Sequence, residues 1–179
     1  MNLEEIRLDS SIKQKKGLHF ILTSIVLWSL ITYIHFSSLD ILTKNFYTFC
    51  ATSLLVPLAY LVSKWIKVDF TNKSNPLTNL GILFSVNQML YLLIAMWVYS
   101  AVPEKMVMVL AMIFGAHLLP YGWLYQSKSY IIFSVIVPIA ALIVGSNFPA
   151  YIVAGIMVLI EIIFSLLLLI EVKRLPKSL

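Results

Sequence analysis

Six apolar runs, each about twenty residues long, alternate with short polar links along this chain. A helix of that length just crosses the ~30 Å hydrocarbon core of a bilayer. The chain has 179 residues, of which 60% are hydrophobic and 12% charged. A water-soluble domain of this size has too much surface to hide that apolar content. The expected fold is therefore all-α, a polytopic transmembrane six-helix bundle. Its helices are placed at about 18–36, 46–65, 76–99, 103–125, 129–145 and 149–171, within a membrane domain spanning 18–172. A cytoplasmic or interfacial segment, 1–17, precedes it, and a basic cytoplasmic tail, 173–179, follows.

Turn chemistry sets several of these limits. Asn75-Pro76 reads as a helix start, with an asparagine cap and proline at the first helical position. Pro103-Glu104 starts the fourth helix in the same way, with a carboxylate at the positive helix end. Pro57, Pro120 and Pro138 lie inside apolar runs, where each removes a backbone donor and favours a bend. Ser134, Pro138, Ala141 and Gly145 form a stripe of small residues that permits close helix approach. Tyr121, Trp123 and Tyr125 read as an interfacial aromatic belt. The segment Leu3 to Ile12 mixes charged and apolar residues and suits either a short interfacial helix or a solvated tail.

The distribution of positive charge sets the expected orientation. With six crossings, one side holds Arg7, Lys13, Lys15, Lys16, Lys64, Lys67, Lys73, Lys128, Lys173, Arg174 and Lys177. The other side holds only Lys44 and Lys105. The positive-inside rule then puts both termini in the cytoplasm. The net charge of +5 sits at segment ends, which speaks for lipid headgroups and against nucleic acid. Cys50 is the single cysteine, so neither an internal disulfide nor a cysteine metal motif is available, and it is expected to pack as a small apolar group. The first residues are polar and charged, without an ordinary cleaved signal, so the first apolar segment is expected to stay.

Polar groups deep in apolar runs are the candidate functional residues. At 1.5 Å per residue, Asn87, Gln88 and Glu161 fall near the bilayer midplane, with His117 nearer the cytoplasmic side. A carboxylate at that depth costs several kcal/mol unless it is protonated, paired or hydrated. Glu161 therefore handles a cation, a substrate amine or a proton, or it is a neutral carboxyl tying helices together, or it faces a membrane defect. His117 lies one turn from Tyr121 and either tunes Glu161 or serves local packing. Asn87 and Gln88, with Tyr91 one turn on, either orient a ligand or bond between helices. The expected ligand-binding set is Asn87, Gln88, Tyr91, His117, Tyr121 and Glu161, around a central polar cavity. Its ligand would be a small polar or cationic solute, bound or transported.

The alternative is a non-catalytic structural or regulatory membrane protein. Catalysis has weaker support. A metal-dependent hydrolase would have to gather His117 and Glu161 with His19 or His35, but no short metal motif, nucleophile elbow, phosphate loop or paired-cysteine motif is present. No catalytic residue, metal ligand or cofactor is assigned. The lipid bilayer is the expected partner, and a homo-oligomer or membrane partner fits the small-residue stripe as well as internal packing does.

Three stretches carry a resemblance: Asn75-Pro76-Leu77-Thr78-Asn79-Leu80-Gly81, Asn87-Gln88-Met89-Leu90-Tyr91, and Pro103-Glu104-Lys105-Met106 through Gly115-Ala116-His117-Leu118-Leu119-Pro120-Tyr121. In these the chain resembles a family of uncharacterised small polytopic membrane proteins from mostly Gram-positive bacteria. The resemblance covers essentially the whole chain. It implies a multi-pass protein of the bacterial inner membrane and brings no activity or residue role.

Overall fold

The computed structural model describes residues 2–69, 72 and 74–176. Lys73, Lys177 and the last residues of the basic tail, which entered the charge reading, lie outside the described residues. The described chain is all-α. Its helices are α1 (Leu3–Lys13), α2 (Leu18–Phe36), α3 (Ile41–Ser53), α4 (Leu55–Trp65), α5 (Leu77–Ala101), α6 (Met106–Leu124), α7 (Lys128–Asn147) and α8 (Ala150–Lys173). Six helical stretches are long and apolar enough to cross a membrane, with α3 and α4 forming one of them. The protein is a multi-spanning helical membrane protein.

The second stretch differs from the sequence expectation in two ways. It starts at Ile41, because Asp40 caps it by accepting a hydrogen bond from the Thr43 amide at 3.0 Å. It also breaks at Leu54, between α3 and α4. The break sits one turn before Pro57, where the proline ring crowds the carbonyl of Ser53 and offers it no donor. Pro120 and Pro138 are instead accommodated inside continuous helices.

Close packing is concentrated between α6 and α7. A Cβ on Gly115 would come within 2.5 Å of Pro138 and 2.7 Å of Val137. A Cβ on Gly145 would meet Met108 at 2.4 Å. The small-residue stripe of α7 is thus used inside the molecule, with Ser134, Ala141 and Gly145 all buried. α2 packs along α8 and shares its buried face with Leu18, Ile21, Trp28 and Ile31. α5 is peripheral. It packs on α6, buries only Ala95 and Val98 fully, and leaves Leu83, Leu90, Leu93 and Trp97 exposed. In a bilayer such faces meet acyl chains.

Two local expectations need correction. Tyr121 and Tyr125 do not extend outward as a belt. Tyr125 is buried, and the two rings stack at 5.9 Å beside Tyr130. Trp123 alone of the three is exposed. Cys50, expected to pack as a small apolar group, is exposed on α3.

Candidate functional site

Glu161 lies on the buried face of α8 with no exposed surface, between Met157, Phe164 and Ser165 on the same face. Its Oε2 bonds the hydroxyl of Ser24 on α2. That hydroxyl also lies 2.8 Å from the carbonyl oxygen of Ile21. A serine carries a single hydroxyl proton, so it can donate to one of these oxygens at a time. If it donates to Ile21, the bond to Glu161 needs a proton on the carboxyl. The other carboxyl oxygen, Oε1, has no hydrogen-bond partner among the described residues, and neither has the Ser165 hydroxyl one turn further along α8. A fully buried polar atom without a partner costs about 1–3 kcal/mol. Aromatic rings of Tyr130, Phe133 and Phe164 pack close by, with centroid spacings of 4.9 Å and 4.7 Å to Phe164.

The other candidates lie along α5 and α6. Tyr121 reaches across to α5, donating to the Gly81 carbonyl at 3.0 Å and sharing a 2.7 Å bond with Ser85. The His117 ring bonds the Phe114 carbonyl through Nδ1 and packs edge-on against Tyr121 at 5.8 Å. These two helices are antiparallel. The Ser85–Tyr121 bond therefore brings Gln88, one turn on, roughly level with His117, one turn back. Gln88 is half-buried on that seam, and its side chain makes no hydrogen bond among the described residues. Asn87 is exposed and donates to Tyr91 of its own helix at 2.9 Å. No hydrogen bond joins Glu161 to Asn87, Gln88, Tyr91, His117 or Tyr121 among the described residues. No group of three metal-ligating side chains occurs among them either.

A second acid on α8, Glu171, has no distinctive signal in the sequence. Glu171 accepts from Lys16 Nζ at 2.9 Å and from the Ser127 hydroxyl at 2.7 Å. It also takes the Ser129 amide at 2.9 Å and the Ser129 hydroxyl at 2.7 Å. Lys16, only 5% exposed, donates to the Gln126 carbonyl as well, at 3.1 Å. The chain delivers Lys16 through three successive left-handed residues, Lys15 at φ 45°, Lys16 at φ 52° and Gly17 at φ 70°. Each non-glycine residue in that region costs about 1–2 kcal/mol. A Cβ on Gly17 would lie 2.9 Å from the Tyr130 hydroxyl, which itself donates to the Lys16 carbonyl. Before this turn, α1 lies across the same end of the bundle. Arg7 covers the Trp123 ring at 4.6 Å, and Asn75 donates to Asp9 at 2.8 Å. Burial works against the ionised form of Asp9. Hydrogen bonds from Lys13, Asn75 and Asn72 outweigh it and hold the carboxyl below its usual value. The only sequence signal for this cap was an acid placed among the basic ends of the first and last apolar runs.

Residues 3–171 match a family of unknown function, DUF7010. The chain belongs to DUF7010. The DUF7010 match takes in both Glu161 and the Lys16–Glu171 pair and ends on Glu171 itself. No significant match is found among curated proteins or among solved structures. Membership of DUF7010 assigns no role to any residue, so function has to be argued from the geometry.

Proposed function

We propose that this protein spans the bacterial cytoplasmic membrane six times, with both termini inside, and binds or moves a small polar or cationic solute. Glu161 is the group that takes the proton or cation. The observation that carries this reading is a fully buried carboxyl midway along α8 with one oxygen bonded to Ser24 and the other unpartnered among the described residues. Acids within spanning segments are rare, and they mark ion pathways and proton relays. Ser24 and Ser165 are the neighbours able to share a proton or ligate a small cation. Neither described cavity includes Glu161. With Glu161 fully buried, a proton is the ligand that fits without rearrangement, and a larger solute requires α2 and α8 to part. Gln88, His117 and Tyr121 form a second polar line on the α5–α6 seam. Asn87 and Tyr91 face outward, where they would meet a membrane partner or a second copy of the chain.

A second reading has its own support. The Ser24 bond and the complete burial of Glu161 also describe a neutral carboxyl that fixes α2 against α8. Reconstitution into liposomes separates the two. Proton flux and uptake of a panel of cations and small amines are compared for wild type and Glu161→Gln. The transport reading expects activity in wild type that the substitution abolishes. Absence of flux and binding in wild type, with the substitution altering thermal stability alone, leaves the structural reading.

A further inference from the structure

We infer that the end of the bundle opposite the termini carries a binding site for a small organic anion, a carboxylate or phosphate joined to an apolar body. The three links on that side, after α2, before α6 and between α7 and α8, meet around a cavity of about 600 Å³. That volume falls within the range of small-molecule sites. Lys44 and Lys105, the only two basic residues that the charge pattern leaves on this side, both line this cavity. Phe36 and Tyr151, edge-on at 5.7 Å, supply an aromatic wall, with Phe36 75% and Tyr151 37% exposed.

Each lysine is anchored but not used up. Lys105 Nζ donates to the Gly145 carbonyl at 2.7 Å and lies 3.4 Å from the Ser146 carbonyl. Lys44 Nζ donates to the His35 carbonyl at 3.3 Å. An ammonium has three N–H groups, so Lys105 keeps at least one free and Lys44 two. The carbonyl anchors hold both stems at the cavity, so less side-chain freedom is lost when an anion arrives. His35 is held by Thr48 at 3.0 Å. Glu104, also in the wall, has a carboxylate with no partner among the described residues. Two lysines against one carboxylate leave the cavity net positive. Glu104 supplies a place for an ammonium if the ligand carries one. Capping the ends of α2 and α7 explains why the lysines sit at carbonyls. It does not explain why both converge on one aromatic-walled cavity. This inference stands apart from the role of Glu161, since the cavity does not reach that residue.

The test is binding of hexanoate and monohexyl phosphate to the full-length protein in neutral detergent, with hexanol and hexylammonium as controls. Calorimetry or ligand-observed NMR provides the readout. Both anions are expected to bind saturably and hexanol at least about tenfold more weakly. Raising salt from about 50 to about 500 mM should weaken the anions and leave hexanol unchanged. Replacing both lysines, Lys44→Gln with Lys105→Gln, should lower anion affinity at least about tenfold, while the paired Lys→Arg variant retains it. The Arg pair and the wild-type salt series keep the test decisive if the Gln pair fails to fold. No saturable anion binding by wild type, or equal binding of hexanol, overturns the inference. In nanodiscs, competition by phosphatidylglycerol but not phosphatidylcholine identifies a lipid headgroup as the anion source. Undiminished monohexyl phosphate binding in both lipids identifies a free solute, and either result supports the shared chemistry.

Discussion

Two glutamates ten residues apart on α8 are treated in opposite ways. Glu171 sits at the polar end of the bundle and receives four donors, one of them the ammonium of Lys16. Glu161 sits in the middle, fully buried, with one serine and an unpartnered oxygen. The surroundings of Glu171 are built to neutralise a charge, and those of Glu161 are not. An acid whose every lone pair is matched has become part of the scaffold. An acid left half-matched in an apolar interior retains capacity for a proton or ion. On the proposed reading, the first serves stability and the second serves the chemistry.

The largest expected effect is on the scaffold acid. Glu171→Leu leaves Lys16 buried without its counter-charge and should cost about 3–5 kcal/mol in unfolding measurements in detergent. The double variant Lys16→Met with Glu171→Leu should recover a large part of that loss. Equal destabilisation by the single and double changes would show that the ion pair is not what the site needs. Next comes Gly17→Ala, which keeps the pair but burdens its left-handed turn and presses on Tyr130. A loss of about 1–3 kcal/mol is expected, and an unchanged melting temperature would mean the turn is not tightly held.

Glu161→Gln should change stability by about 1 kcal/mol or less, because an amide can still bond Ser24. If the contrast holds, this small stability effect accompanies complete loss of flux or binding. A large stability loss would place Glu161 beside Glu171 as scaffold. The smallest effect concerns Asp9. Its value in the folded protein is lowered, so its contribution is fully present above the ordinary 3.8 and fades as pH falls through the lowered folded value. Acidification below about pH 4 should loosen α1 by about 1 kcal/mol or less. Hydrogen exchange of α1 amides would report it, and Asp9→Asn should remove the pH dependence.

Much of this architecture was readable in advance. The apolar runs located α2, α5, α6, α7 and α8 to within a few residues, because crossing length and backbone satisfaction leave a chain few choices. Glu161 was recognisable because a charge in an apolar run stands out at any register. The break at Leu54 was harder to place, since proline marks a disturbance but the freed carbonyl lies a turn upstream. The role of Glu171 was not legible in the sequence, because an acid at a helix end is ordinary until its donors are known. Those donors come from residues 16, 127 and 129, all distant from Glu171 in the chain. The inward turn of Tyr121 and Tyr125 was equally hidden, as an aromatic near a span end suits an interfacial belt or a packed core alike.

By itself, the order of residues determined that the chain lives in a bilayer, where its apolar helices run, and which acid falls in the middle of an apolar run. Hydrophobicity and length are local properties and need no neighbours to be read. Only the tertiary structure decided which of those helices touch. It put Ser24 on Glu161, left Asn87 facing outward, and drew Lys44 and Lys105 to one cavity. Such pairings depend on how each helix is rotated about its axis, which packing against neighbours sets and a run of apolar residues does not.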